Sequence, residues 1–162
     1  MLRQVTPEDA QAIFEIYNHY ILHSVITFEE TPVDASEMRR RIETVTPAMP
    51  WFVYESDGKV FGYAYAVPWK ARSAYLHSAE ITVYLKAGEF KKGLGTLLYS
   101  GLIEELKSRK FRALMGGIAL PNDASVALHE KLGFKKVAHF KEVGYKFNRW
   151  IDVAYWQLLL RP

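Results

Sequence analysis

The sequence predicts one domain of the α/β (α+β) class: a single mixed central sheet with helices on both faces. Three observations carry this. Apolar residues are 49% of a 162-residue chain, enough for one packed core, and the chain is too short for two ordinary domains and a linker. No repeat, low-complexity tract or proline- and serine-rich linker divides residues 1–162. The apolar periodicity runs in the order β-α-α-β-β-β-α-β-α-β-β, and strands interleaved with helices need a sheet covered on both sides.

Each element has its own local signal. Leu2 to Val5 opens as a short strand. Thr6-Pro7-Glu8-Asp9 supplies a cap, a proline at the first helical position and an acid three residues after the cap. Ala10, Ile13, Phe14, Tyr17, Tyr20 and Ile21 then recur at helical spacing. A loop through Phe28 and Pro32 leads to a second helix over about 34–44. Trp51 to Glu55 and Val60 to Val67 flank the turn Ser56-Asp57-Gly58-Lys59 and form a hairpin. Polar and cationic residues interrupt from Pro68 to Tyr75, and another strand follows from His77 to Leu85. Leu94, Leu97, Leu98, Leu102 and Leu106 mark a long helix, closed by positive charge from Lys107 to Lys110. Ala113 to Leu120 is an apolar strand, and Asn122 to Leu132 a short helix stopped by Gly133. Phe134 to Leu160 reads as strand, turn and strand.

Composition removes several classes of function. With no cysteine there is no disulfide, thiolate nucleophile or cysteine-bound zinc. No apolar run approaches the roughly 18 residues of a membrane span, and Met1 to Asp9 lacks an apolar signal core. A soluble, cytoplasmic protein is expected. The balance of 21 Lys and Arg against 18 Asp and Glu scatters the basic residues among acids. Arg39-Arg40-Arg41 stands beside Glu37 and Glu43 as a solvated helix face, so no nucleic-acid partner is expected. Glu15, His19 and His23 share a helix face but lack the HExxH glutamate and a further ligand, so no metal is expected either.

Lys91-Lys92-Gly93-Leu94-Gly95-Thr96 lies between a strand and the long helix. Small residues there permit close backbone approach, the helix start offers free N–H groups, and two lysines raise the local potential, as a phosphate needs. A plain strand-to-helix turn with solvated lysines fits the same residues. Gly88 and Gly93 have P-loop spacing, but Leu94-Gly95 replaces the required Lys-Ser/Thr. GxGxxG and GxSxG are missing, which removes dinucleotide redox and nucleophile-elbow chemistry.

The strand, the Gly93-Leu94-Gly95 loop, the long helix, a further strand and Asn122 to Phe134 follow one another in an order that resembles the GCN5-related N-acetyltransferase (GNAT) superfamily over essentially the whole chain. Within it the chain most resembles the phosphinothricin and methionine sulfoximine N-acetyltransferases, through Asn18-His19-Tyr20, Gly62-Tyr63-Ala64, Pro68-Trp69-Lys70-Ala71-Arg72, Leu120-Pro121-Asn122-Asp123 and Trp150-Ile151-Asp152-Val153. The resemblance implies a mostly antiparallel sheet and acetyl-CoA as cosubstrate. Its pyrophosphate would lie on Lys91, Lys92, Gly93, Leu94, Gly95 and Thr96, and its pantetheine arm along Val83, Tyr84 and Leu85 with Asn122. The acceptor implied is the amine of a small anionic amino-acid-like compound. Phe90 stands where the superfamily usually has Gln or Arg, and His129 replaces its frequent tyrosine before Gly-Phe.

An ammonium must lose a proton before it attacks a thioester, and Glu80, on the cofactor strand, is the candidate general base. Lys70 and Arg72, with Ala71 between them, suit a carboxylate or phosphinate. Phe28, Ile81 and Thr82 complete the expected acceptor site, with Tyr20 a further wall candidate. Backbone N–H groups around Val83 to Leu85 are the candidate oxyanion donors, provided the sheet opens there. His129 is either the acid for the leaving thiolate or a packing residue. Transfer to a protein N-terminus or another amine, and a non-catalytic acyl-CoA sensor, are the alternatives. The aromatic-rich C-terminal strands suit either a homodimer or the closing edge of a monomer's sheet.

Overall fold

The computed structural model describes residues 1–88 and 93–161. Its strands are β1 (Leu2–Gln4), β2 (Trp51–Ser56), β3 (Lys59–Pro68), β4 (Ser78–Leu85), β5 (Ala113–Ala119), β6 (Lys135–Lys146) and β7 (Arg149–Leu159). The helices are α1 (Ala10–His23), α2 (Ala35–Val45), α3 (Leu94–Ser108) and α4 (Asp123–Lys131). One sheet runs β1-β2-β3-β4-β5-β7-β6, antiparallel throughout except between β4 and β5.

Local chemistry sets most boundaries. Thr6 N–H donates to the Asp9 carboxylate before α1, and the Asp34 carboxylate accepts from Glu37 N–H at the start of α2. Asp57 and Gly58, with φ of 50° and 70°, make the tight turn between β2 and β3. On α3 the buried arc is Leu94, Leu98, Leu102 and Leu106, widened by Tyr99 and Ile103. Leu97, expected in that stripe, falls outside the arc and is exposed.

Among the described residues the two larger buried clusters lie one on each face, and Val25, Ala119 and Ile151 form a small third. Ile13, Tyr17 and Ile21 of α1 and Met38 and Ile42 of α2 pack on Trp51, Val53, Tyr63 and Tyr84. The α3 arc packs on Ala64, Ala66, Ile81, Leu114, Ile118 and Trp156 from the opposite side. Full burial of each α3 leucine contributes about 1.5–3 kcal/mol. Arg41 departs from the solvated face expected of 39–41: its guanidinium grips the Glu29 carboxylate at 2.7 and 2.8 Å, tying α2 to the loop after α1. Among the described residues no helix is long and apolar enough to cross a membrane.

Candidate active site

The site is made by a ladder that stops. β4 and β5 pair only through Ser78–Ala113, Ala79–Leu114 and Glu80–Met115, after which β5 bonds only β7 and the two strands separate. At the two ends of the β3–β4 ladder, Trp69 N–H donates to Ser78 O and Lys86 N–H to Phe61 O. Even-numbered residues of β4 therefore bond β3, while Ile81, Val83 and Leu85 turn their main-chain groups into the opening. The Tyr20 hydroxyl donates to Leu85 O, and the Tyr99 hydroxyl lies 3.3 Å from Ile81 O. Val83 N–H and C=O have no partner on that side among the described residues. An extended ligand carrying amides would satisfy them. The expected Val83 is thereby placed in the opening, and with it Ile81, Thr82, Tyr84, Asn122 and His129, around a small cavity of about 50 Å³.

At the far end of the opening, α3 begins. Gly93 has φ 88°, a left-handed conformation that favours glycine, and Leu94, Gly95 and Thr96 form the first turn. A Cβ on Gly95 would stand 3.2 Å from Leu128 of α4, so the missing side chain lets α4 close on the helix start. Among the described residues the N–H groups of this first turn have no partner, which suits an anion. Lys91 and Lys92, and with them Phe90, lie outside the described residues.

Glu80 is the last β4 residue paired with β5, on the α1 face of the sheet, where it borders a cavity of about 730 Å³. Phe28 and Lys70 border the same cavity, as do Ile26, Trp69, Met115, Phe140, Val143, Val153, Tyr155 and Gln157. Burial raises the Glu80 pKa above the ordinary glutamate value, and the Lys70 charge pulls the other way. This cavity and the small one in the opening share Ile26, Gly117 and Ala119, so Glu80 looks toward the place where the strands part.

His129 belongs to the other face. It is only 2% exposed, between the Tyr99 and Phe134 rings. Its Nδ1–H donates to Ser125 O at 2.7 Å, which leaves Nε2 as the acceptor 3.3 Å from the Tyr99 hydroxyl. Burial lowers its pKa, and the Ser125 carbonyl opposes this only partly, so the ring is neutral at pH 7.

Sequence reasoning missed what brings these groups together. Gly116 and Gly117 of β5 face opposite sides: a Cβ on Gly116 would stand 2.3 Å from His129 Nε2, and one on Gly117 would stand 2.9 Å from the Tyr155 ring and 3.2 Å from Glu80 Oε1. A glycine pair inside a strand was the available signal for such a close approach. Three expectations change. Arg72 and Ala71 border a neighbouring groove of about 530 Å³ and only Lys70 reaches the Glu80 cavity, because the backbone turns at Arg72 into a short 3₁₀ segment, Ser73–Tyr75. Ile81 and Thr82 border the opening rather than the Glu80 cavity. Tyr20, tied to Leu85 O, walls neither.

Residues 2–155 match the family model described as an acetyltransferase (GNAT) domain. The chain is 40% identical to a phosphinothricin N-acetyltransferase of Streptomyces viridochromogenes, over 96% of this chain and 85% of the relative. It is 35% identical to an L-methionine sulfoximine/L-methionine sulfone acetyltransferase of Salmonella typhimurium, over 98% and 94%. Its structure is similar to that of a GNAT superfamily phosphinothricin acetyltransferase from Sinorhizobium meliloti, solved in complex with acetyl-CoA. That match has a TM-score of 0.94 and 36% identity, and covers 99% of this chain and 88% of the other.

Proposed function

The chain belongs to the GNAT acetyltransferase family, and from that premise we propose that it acetylates the amine of a small anionic amino-acid-like acceptor, with Glu80 as general base. The observation that carries this reading is the position of Glu80: a half-buried carboxylate at the residue where β4 leaves β5, facing a cavity whose cation is Lys70. Acetyl-CoA supplies an acetyl group activated as a thioester. The residues that suit it are Val83, whose N–H and C=O have no partner among the described residues, the first turn of α3 after Gly93, and Asn122, whose side chain caps α4 at the edge of the opening.

The acceptor's carboxylate is matched by Lys70, and its amine by Glu80. Glu80 takes the ammonium proton, the amine nitrogen bonds the acetyl carbon, the carbon–sulfur bond breaks, and the surplus proton on nitrogen goes to the departing thiolate, leaving the amide and the CoA thiol. The Val83 N–H is the donor available to negative charge on the carbonyl oxygen. His129 holds the Tyr99 ring from beneath and carries no transferable proton on its Nε2 side. Among the described residues the cavity has one cation set in largely apolar walls, which suits an acceptor with a single anionic group and an apolar body. Methionine sulfone or sulfoximine is therefore expected to exceed the dianionic phosphinothricin in kcat/KM.

The test is thiol release from acetyl-CoA with these three compounds, common amino acids, spermidine and a short peptide. Saturable release with the sulfone or sulfoximine and none with spermidine supports the reading. Release only with the peptide favours a protein N-terminus, and acetyl-CoA binding without any release favours a sensor. We place its action in the cytoplasm. A homodimer would form at the β6–β7 edge, where Val143, Tyr145, Phe147 and Trp150 are exposed; a monomer mass by light scattering overturns that part.

A further inference from the structure

Lys146 ends β6 with 2% of its surface exposed, and among the described residues no carboxylate bonds it. Its Nζ donates to Ser24 O and Thr27 O, each at 2.8 Å, and lies 5.1 Å from the Phe147 ring centre. A buried lysine is costly, and here two of its three donors are spent on one stretch of main chain. That stretch follows α1. Val25 and Thr27 point inward, while Ile26 and Phe28 are the exposed pair that walls the Glu80 cavity.

A second contact with β6 lies two residues earlier. The Phe28 ring covers Gly144 so closely that a Cβ there would stand 2.3 Å from Phe28 Cζ. Gly144 and Lys146 are both buried, as i and i+2 of one strand face must be. Among the described residues, the hydrogen bonds that hold the segment from α1 are those of the Tyr17 hydroxyl, 2.8 Å from Thr27 Oγ1, and of the Ser24 hydroxyl and N–H on Tyr20 O. Ile26 matters most, because it borders both the Glu80 cavity and the opening beside Val83. Its position sets where acceptor and thioester meet.

We infer that Lys146 is a positioning residue for the acceptor: it latches Ser24–Thr27 to β6 so that Ile26 and Phe28 wall the Glu80 cavity. This rests on the reading of that cavity as the acceptor site.

Lys146→Met keeps the apolar stem and removes both donors. It is expected to raise acceptor KM about tenfold, since misplacement by an ångström costs up to about a hundredfold. The acetyl-CoA KM stays within about twofold, and amide exchange across 24–28 accelerates. Lys146→Arg, which restores two donors, brings acceptor KM back to within about threefold of the original. Gly144→Ala displaces Phe28 from the other contact and gives the same split without touching the lysine, so it decides the matter if Lys146→Met does not fold. The inference is overturned if either folded variant keeps its acceptor KM, or if both KM values rise together. Glu80→Gln, measured in parallel, separates the premises. A normal rate there removes the acceptor-site reading itself, while a slow Glu80→Gln beside an unaffected Lys146→Met removes only the latch.

Discussion

Replacing Glu80 by Gln is the most direct test of the chemistry. The amide keeps the shape that fits over Gly117, where an added Cβ would stand only 3.2 Å from Glu80 Oε1. It removes the basic oxygen and leaves Val83 and the α3 start untouched. Among the described residues the other titratable groups bordering this cavity are Lys70 and Tyr155, and burial raises the Tyr155 pKa further from use as a base. No neighbour replaces Glu80, so the full general-base factor of about 10²–10⁴ in kcat is expected to be lost at pH 7, or roughly 2.7–5.5 kcal/mol of barrier. The pH profile should change shape as well. Burial raises the Glu80 pKa above 4.5 despite Lys70, so the native rate climbs as pH rises through that value and then levels while the acceptor is still an ammonium. Without the base only free amine reacts, and the variant's rate should keep rising tenfold per pH unit below the amine pKa. Stopped thiol-release assays from pH 5 to 9, with calorimetric acetyl-CoA affinity as the control, read both features. A Glu80→Gln enzyme within twofold of native turnover at pH 7, or with the native profile shape, refutes the assignment.

Lys70→Met removes the charge that opposes burial at Glu80, so the rising limb should move to higher pH and acceptor KM should increase; an unmoved limb separates the two groups. Gly116→Ala forces a methyl against His129, which cannot yield without losing Ser125 O, and a loss of about 1–3 kcal/mol in urea unfolding is expected. Asp9 is pushed up by burial, but the Arg3 fork at 2.8 Å and Thr6 N–H outweigh this and hold its pKa below 3.8. Its stabilisation is therefore complete above the unfolded pKa and lost as pH falls through the folded one. Urea midpoints should fall more steeply below pH 4 for the native chain than for Asp9→Asn, and parallel curves would contradict the linkage.

The sequence by itself determined the succession of strands and helices, because each signal is local: the Thr6 and Asp34 caps, the Asp57-Gly58 turn, the leucine arc of α3. It also pointed to Glu80, an acid inside an apolar strand, and to Gly93 at a helix start, because burial and left-handed backbone leave a mark on residue type. Only the tertiary structure decided what these residues face. Strand alternation together with the early end of β4–β5 pairing put Glu80 and His129 on opposite sides of the sheet, and no sequence spacing encodes where a ladder stops. The chain turn at Arg72 took one of two expected cations out of the cavity. The stretch Ser24–Phe28 lies more than a hundred residues from Gly144 and Lys146 along the chain and meets them only because β6 closes the sheet beyond β7. Such contacts depend on long-range closure, in which a glycine or a buried lysine acquires its role from a partner its own neighbourhood does not reveal.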